Sequence, residues 1–244
     1  MQYLAPATDY DGTLATDGVV DSITLDALRR WKASGRKLIL ITGRRMDDFL
    51  SVFSHMDLFD LVVVENGAVL YFPETGAERL LAEPPHPEFV SQLSDRILQS
   101  TPEGQIPPEF QTLVKQQNLK MLAVGRIIVA TWVPHVATVQ ELIEVLSLDH
   151  LQIIRNKGAV MILPEGIDKA HGLNAALEEI GIPHAATVGV GDAENDAVFL
   201  ELCGFSVAVS NALDDLKAQV HWVTATTRGA GVAELIDRLL VEDR

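Results

Sequence analysis

Only one cysteine, Cys203, occurs in the 244 residues, so no disulfide can form within the chain and a reducing compartment suits it. Beside Leu202 and Phe205 it reads as a small core side chain rather than a redox group. No uninterrupted apolar run approaches membrane-spanning length, and the first residues lack a basic stretch followed by an apolar one. The expectation is therefore a cytoplasmic protein with no membrane partner. Positive charge is scarce too: 19 Lys and Arg against 34 Asp and Glu leave a formal net charge of −15. Nucleic acid is held through neutralisation of phosphates by Lys and Arg, so nonspecific binding to it is disfavoured. A small phosphorylated ligand is not excluded, because a few aimed cations and a divalent metal bind one phosphate whatever the global sign. His55, His86, His135, His150, His171, His184 and His221 show none of the short paired spacings of zinc sites. Internal repeats and low-complexity tracts are absent, and nothing in the sequence indicates an oligomeric state.

What is present is an alternation of apolar runs with helical patterns, the signature of an α/β fold. With 48% hydrophobic residues the chain can bury a sizeable core. Strands are expected near 3–9, 37–42, 61–65, 186–191, 205–209 and 220–224, with Pro6 leaving the start of the first unsettled. Helical spacing covers Thr24 to Trp31, with Gly35 as a stop, and also Asp47 to His55, Lys169 to Ile180 and Ala230 to Leu240. Val69 to Phe72 and Glu78 to Leu81, joined through Pro73-Glu74-Thr75-Gly76, read as a hairpin. At Pro84-Pro85-His86-Pro87 the composition changes, and a second junction falls near Pro164-Glu165-Gly166. We therefore expect a parallel-sheet core of residues 1–82 and 165–244, with a smaller α/β module inserted at 83–164. Within that module Thr101 to Gln117 reads as loop at its start. A strand from Gly125 to Trp132, a helix from Pro134 to Leu146, and strands Leu151 to Arg155 and Ala159 to Leu163 follow.

The most informative segment is Asp9-Tyr10-Asp11-Gly12-Thr13-Leu14. On an extended segment residues i and i+2 share a face, so two carboxylates leave one strand together while Tyr10 points the other way. Gly12 then allows a tight turn. Like charges this close repel unless a cation or a shared proton offsets them, which makes a metal-assisted site the natural reading. The same residues could also form an Asp-Gly surface turn, so partners are needed. Three further segments supply them. Leu38 to Ile41 is a buried-strand run ending in Thr42-Gly43-Arg44; Lys169 follows Gly166-Ile167-Asp168; and Ala186 to Val190 breaks into Gly191-Asp192-Ala193-Glu194-Asn195-Asp196. Singly, Thr42 could be an ordinary strand-end residue, Lys169 a solvated helix start, and Asp192 with Asp196 acids favoured by a helix dipole. In this order they point together to one site. Arg44 and Arg45 stay open between a phosphate-side cation and a solvated helix start. Trp31, Trp132 and Trp222 are expected in the core.

These four motifs, in this order, resemble those of the haloacid dehalogenase superfamily of phosphohydrolases over nearly the whole chain. Glu65-Asn66-Gly67-Ala68 and Ser210-Asn211-Ala212 resemble its Cof-type, sugar-phosphatase branch, in which an α/β cap is inserted into a Rossmann-like core. The resemblance implies a Mg²⁺-dependent phosphatase acting on a small phosphorylated metabolite, either a sugar phosphate or a phospho-acid such as phosphoglycolate or a glycosyl-phosphoglycerate. It assigns Asp9 as the nucleophile that forms an aspartyl-phosphate and Asp11 as the acid and base. Thr42, Gly43, Lys169 and Asn195 would bind phosphate, and Asp196 would support the metal shell or orient Lys169. Mg²⁺ would be held by the carboxylates of Asp9 and Asp192 and the backbone carbonyl of Asp11. The cap would close over the site and set specificity, with Arg126, Arg155, Asn156 and Lys157 as its candidate polar contacts. Two alternatives remain at this stage, a phosphotransferase or phosphomutase of sugar phosphates and a non-catalytic regulator that binds a phosphorylated ligand.

Overall fold

The computed structural model describes residues 3–100, 121–156 and 158–242, with the side chain of Glu242 aside. Thr101 to Gln117, expected as loop at its start, and Lys157 lie outside these residues. The described chain forms two compact units, one of residues 1–81 and 167–244, the other of residues 82–166.

The first unit begins with β1 (Ala5–Asp9), α1 (Ser22–Ala33), β2 (Ile39–Ile41), α2 (Met46–Val52), β3 (Leu61–Val64), β4 (Val69–Phe72) and β5 (Ala77–Leu80). Both early helices follow from local chemistry. In α1 the Asp21 carboxylate accepts the N–H of Thr24, and Leu25, Leu28 and Trp31 bury one face. Trp31 donates its indole N–H to the Lys37 carbonyl at 2.8 Å, which ties α1 to the chain entering β2. Helix α2 stops earlier than the pattern to His55 suggests, because Phe53 turns extended to join a ring cluster with Tyr10, Phe49 and Phe59.

The second unit contains α3 (Pro87–Ser100), β6 (Ala123–Val124), β7 (Val129–Trp132), α4 (Val136–Val145), β8 (Leu151–Asn156) and β9 (Ala159–Pro164). Its strands form an antiparallel sheet in the order β6-β7-β9-β8. Phe89, Leu93 and Ile97 of α3 meet Val139 and Leu142 of α4 and Val129, Val160 and Ile162 of the sheet in one hydrophobic cluster. The strand expected from Gly125 to Trp132 starts only at Val129, because the Gly125 N–H bonds back to the Ile128 carbonyl and turns the chain between β6, which precedes the expected range, and β7. Helix α3 has no counterpart in the elements expected from sequence, although its apolar residues recur at helical spacing.

The chain then returns to the first unit with α5 (Lys169–Ile180), β10 (Thr187–Gly191), α6 (Ala197–Leu200), β11 (Phe205–Ala208), α7 (Asp214–Lys217), β12 (Trp222–Val223) and α8 (Arg228–Glu242). The resulting eight-stranded sheet has the order β12-β11-β10-β1-β2-β3-β4-β5. It is parallel from β12 to β3, and β4 and β5 are antiparallel. The α/β class expected from the sequence is thus the observed one. Pro6 lies opposite Val188, while pairing of β1 with β2 starts only at Ala7, so the proline occupies a stretch with a single paired neighbour. From β1 the chain runs outward to β2 and β3 and later outward the other way through β10 and β11. The switch point therefore falls between β1 and β10, where ligands of open α/β sheets bind beyond the strand ends.

Candidate active site

Three neighbouring strands deliver the site. Asp9 ends β1, Thr42 follows β2, and Asp192 follows β10, while Lys169 opens α5. After Asp9 the chain turns sharply: Gly12 has φ +91°, and the N–H groups of Leu14 and Ala15 return to the Tyr10 carbonyl. Tyr10 points away from the carboxylates, packing edge-on to Phe49 and donating its hydroxyl to the Gly18 carbonyl at 2.8 Å.

Lys169 is the hub of the charged cluster. It is 1% exposed, and its Nζ donates to Asp9 Oδ1 at 2.7 Å and to Asp196 Oδ1 at 2.5 Å. The other oxygen of Asp196 accepts the backbone N–H groups of Asp192 and Ala193 at 2.8 and 2.9 Å. Asp196 thereby fixes both the ammonium and the loop that carries Asp192. Gly191 is required beside it, since a Cβ there would come within 2.6 Å of the Asp196 side chain. Asp192 Oδ1 accepts the Thr13 hydroxyl at 3.2 Å, and the Thr42 hydroxyl oxygen accepts the N–H of Arg44. Asn195, also buried, donates its amide to Asn66 Oδ1 at 2.9 Å. Gly43 is half-buried in the loop after β2.

Asp9, Asp192 and Asp196 bring carboxylate oxygens within 4.8 Å of one another. Burial, together with the charges of Asp196 and Asp192, pushes Asp9 up to about 8 against the opposing pull of Lys169. Lys169 itself is held protonated, as the carboxylates of Asp196 and Asp9 outweigh its burial. Three carboxylates facing one ammonium leave excess negative charge, and hard oxygen donors of this kind suit a divalent cation such as Mg²⁺. The hydrogen bonds rank the three. Asp196 has both oxygens committed to N–H donors, so Asp9 and Asp192 are the better cation ligands, with Asp196 behind them.

The carboxylate of Asp11 lies outside this cluster. It is gripped by Arg44 in a two-pronged ion pair, Nε to Oδ2 at 2.6 Å and Nη2 to Oδ1 at 2.7 Å, and the Arg44 guanidinium also lies over the Tyr10 ring. Arg45 turns to Asp48 instead. Thr13, Arg44 and Asn66 touch the site without having been assigned to it from sequence. Arg44 and Asn66 were legible there as the residue after Thr42-Gly43 and as the first of an Asn-Gly pair ending a strand. Asp168 caps α5 by accepting the backbone N–H of His171, whose side chain contributes nothing to the carboxylate cluster.

Comparisons with known proteins bear on the family and the fold. A family model described as haloacid dehalogenase-like hydrolase matches residues 7–106 and 109–236. A phosphoglycolate phosphatase of Methanothermobacter thermautotrophicus is 28% identical over 237 residues, which is 97% of this chain and 98% of that protein. Among solved structures, a haloacid dehalogenase-like hydrolase from Bacteroides thetaiotaomicron superposes with a TM-score of 0.78 at 20% identity, covering 98% of this chain and 100% of that one. A sugar phosphatase described as haloacid dehalogenase subclass IIB gives a TM-score of 0.70 at 20% identity, covering 97% of this chain and 99% of its own.

Proposed function

Since the chain belongs to the haloacid dehalogenase-like hydrolases, we propose that it is a Mg²⁺-dependent phosphatase of a small phosphorylated metabolite, working through an aspartyl-phosphate on Asp9. The observation that carries this reading is the buried Lys169 bridging Asp9 and Asp196 at the switch point of the sheet. It joins a nucleophile, a fixed cation and a metal-compatible carboxylate set in one place.

In this account a carboxylate oxygen of Asp9 attacks phosphorus in line and the ester oxygen leaves. Lys169 stays charged and neutralises the phosphoryl oxygens, assisted by the Thr42 hydroxyl, the Gly43 backbone and the Asn195 amide. Asp11 delivers a proton to the leaving oxygen and later takes one from the water that hydrolyses the aspartyl-phosphate. Its ion pair with Arg44 has to open for either step. Asp196 holds Lys169 and the Asp192 loop in position. A divalent cation bound by Asp9, Asp192 and the Asp11 carbonyl supplies screening between nucleophile and phosphate.

Phosphoglycolate heads the substrate candidates, because a relative that this chain matches along 97% of its length carries that name, and sugar phosphates come next. The second unit is proposed as the specificity module, with Arg126, Arg155 and Asn156 as its polar candidates. The test is phosphate release from phosphoglycolate, several sugar phosphates and an aryl phosphate, with and without Mg²⁺, by wild type and Asp9→Asn. Metal-dependent release lost in the variant is expected. Transfer of phosphate to a second sugar would point to a phosphotransferase, and ligand binding without turnover to a regulator.

A further inference from the structure

The turn Glu65-Asn66-Gly67, which follows β3, has three successive residues with positive φ, at +55°, +55° and +104°. Two of them carry side chains, and all three are buried. Such backbone is strained for Glu and Asn and persists only where its surroundings enforce it. Two backbone N–H groups of this turn lead to the phosphate end of the site. The Asn66 N–H donates to the Thr42 carbonyl at 3.0 Å, and the Glu65 N–H donates to the Arg44 carbonyl at 2.9 Å. Gly67 lies against the start of α5 so closely that a Cβ would come within 1.7 Å of the Asp168 carbonyl oxygen and 3.1 Å of the Lys169 nitrogen. Gly172, one turn further along the same face of α5, also meets Gly67, and its own Cβ would fall 2.7 Å from the Gly67 Cα.

The side chain of Asn66 completes the pattern. It is 1% exposed and accepts the Asn195 amide, yet its own Nδ2 and the Oδ1 of Asn195 are both buried with no hydrogen-bond partner. An unmet buried polar group is costly, and one on each member of a hydrogen-bonded pair of side chains is expected at a functional site rather than in a structural turn.

We infer that Asn66 is a positioning residue of the phosphate subsite, acting through the Asn195 amide that it orients, while its turn sets the start of the helix bearing Lys169. The inference rests on the phosphatase reading above. Asn66→Gly is the informative variant, because glycine adopts the left-handed backbone without strain and only the amide is removed. The experiment measures thermal stability, kcat and KM, and inhibition by inorganic phosphate for wild type, Asn66→Gly, Asn195→Ala and the double variant. A melting temperature close to wild type is expected for Asn66→Gly, with kcat/KM down roughly tenfold to a hundredfold and phosphate inhibition weakened in parallel. The double variant should be no worse than Asn195→Ala alone. Additive losses, or wild-type kinetics in Asn66→Gly, would overturn the inference. Should Asn66→Gly fail to fold, Asn66→Asp keeps the oxygen that accepts the Asn195 amide and a shape that tolerates positive φ, and must keep kcat/KM closer to wild type than Asn195→Ala does; a loss as large as that of Asn195→Ala would overturn the inference. A wild type that neither hydrolyses phosphate esters nor binds phosphate would overturn the phosphatase reading itself and this inference with it, an outcome distinct from failure of the cycle in an active enzyme.

Discussion

The two units bury different things. In the first, Asp9, Thr42, Asn66, Lys169, Asp192, Asn195 and Asp196 are buried at or beside the ends of parallel strands, several of them charged. In the second, the described buried side chains are apolar except for Thr131 and His135, and its two long helices close on the antiparallel sheet through Phe89, Leu93, Val139 and Leu142. A buried charge is costly unless paired, so a cluster of them marks a place selected for chemistry, whereas an apolar cluster is what a stable module needs and no more. The difference is why the proposed reaction is assigned to the first unit, and it gives each unit its own mode of failure.

Lys169→Met should break the contrast most sharply. It leaves Asp9 and Asp196 without their shared cation, and loss of a buried partner costs about 3–5 kcal/mol. Phosphate release should fall by roughly a hundredfold to a thousandfold or more, read in a steady-state assay at a temperature where the variant is folded. Leu142→Ala is the matching change in the second unit. It removes a fully buried side chain from the apolar cluster and should lower stability by about 2–5 kcal/mol in a denaturant titration. Because no charged group is touched, the metal dependence of turnover should persist; its disappearance in the folded variant would break the comparison. The smallest effect concerns His135. Burial lowers its pKa and its Nε2 has no partner, so the folded state favours the neutral ring. A group of this kind stabilises above its unfolded value of 6.5 and loses that contribution as pH falls below it. Between pH 7 and pH 5 the melting temperature of wild type should therefore drop by slightly more than that of His135→Gln; equal drops would remove His135 from the account.

Much of the first unit was legible because its strands are short apolar runs that end abruptly in chemistry. Asp9, Thr42 and Asp192 sit at such ends, where a change from apolar to acid or hydroxyl marks the boundary. Lys169 was visible as a helix start and Asp196 as a residue that could orient it, but its ion pair with Asp9 was not, since Asp9 comes from a segment 160 residues away. Local patterns carry no information about which carboxylate a lysine will meet. The grip of Arg44 on Asp11 was hidden for the same reason, being a contact across 33 residues. Asn66 was legible only in part: an Asn-Gly pair after a strand is visible but reads as an ordinary turn, and only tertiary contact shows that this one is buried. The second unit was less legible. Its first helix escaped notice behind a proline-rich junction, and an unbroken run of strand-forming residues concealed the turn at Gly125.

The most direct test of the account is to mix enzyme with substrate labelled in its phosphoryl group, quench in acid within the first turnover, and map the label on the protein by mass spectrometry. The account predicts one added phosphoryl group on the peptide containing Asp9, absent from Asp9→Asn and from enzyme stripped of divalent metal. Phosphate release at full rate with no label on that peptide, or label on another residue, would contradict it.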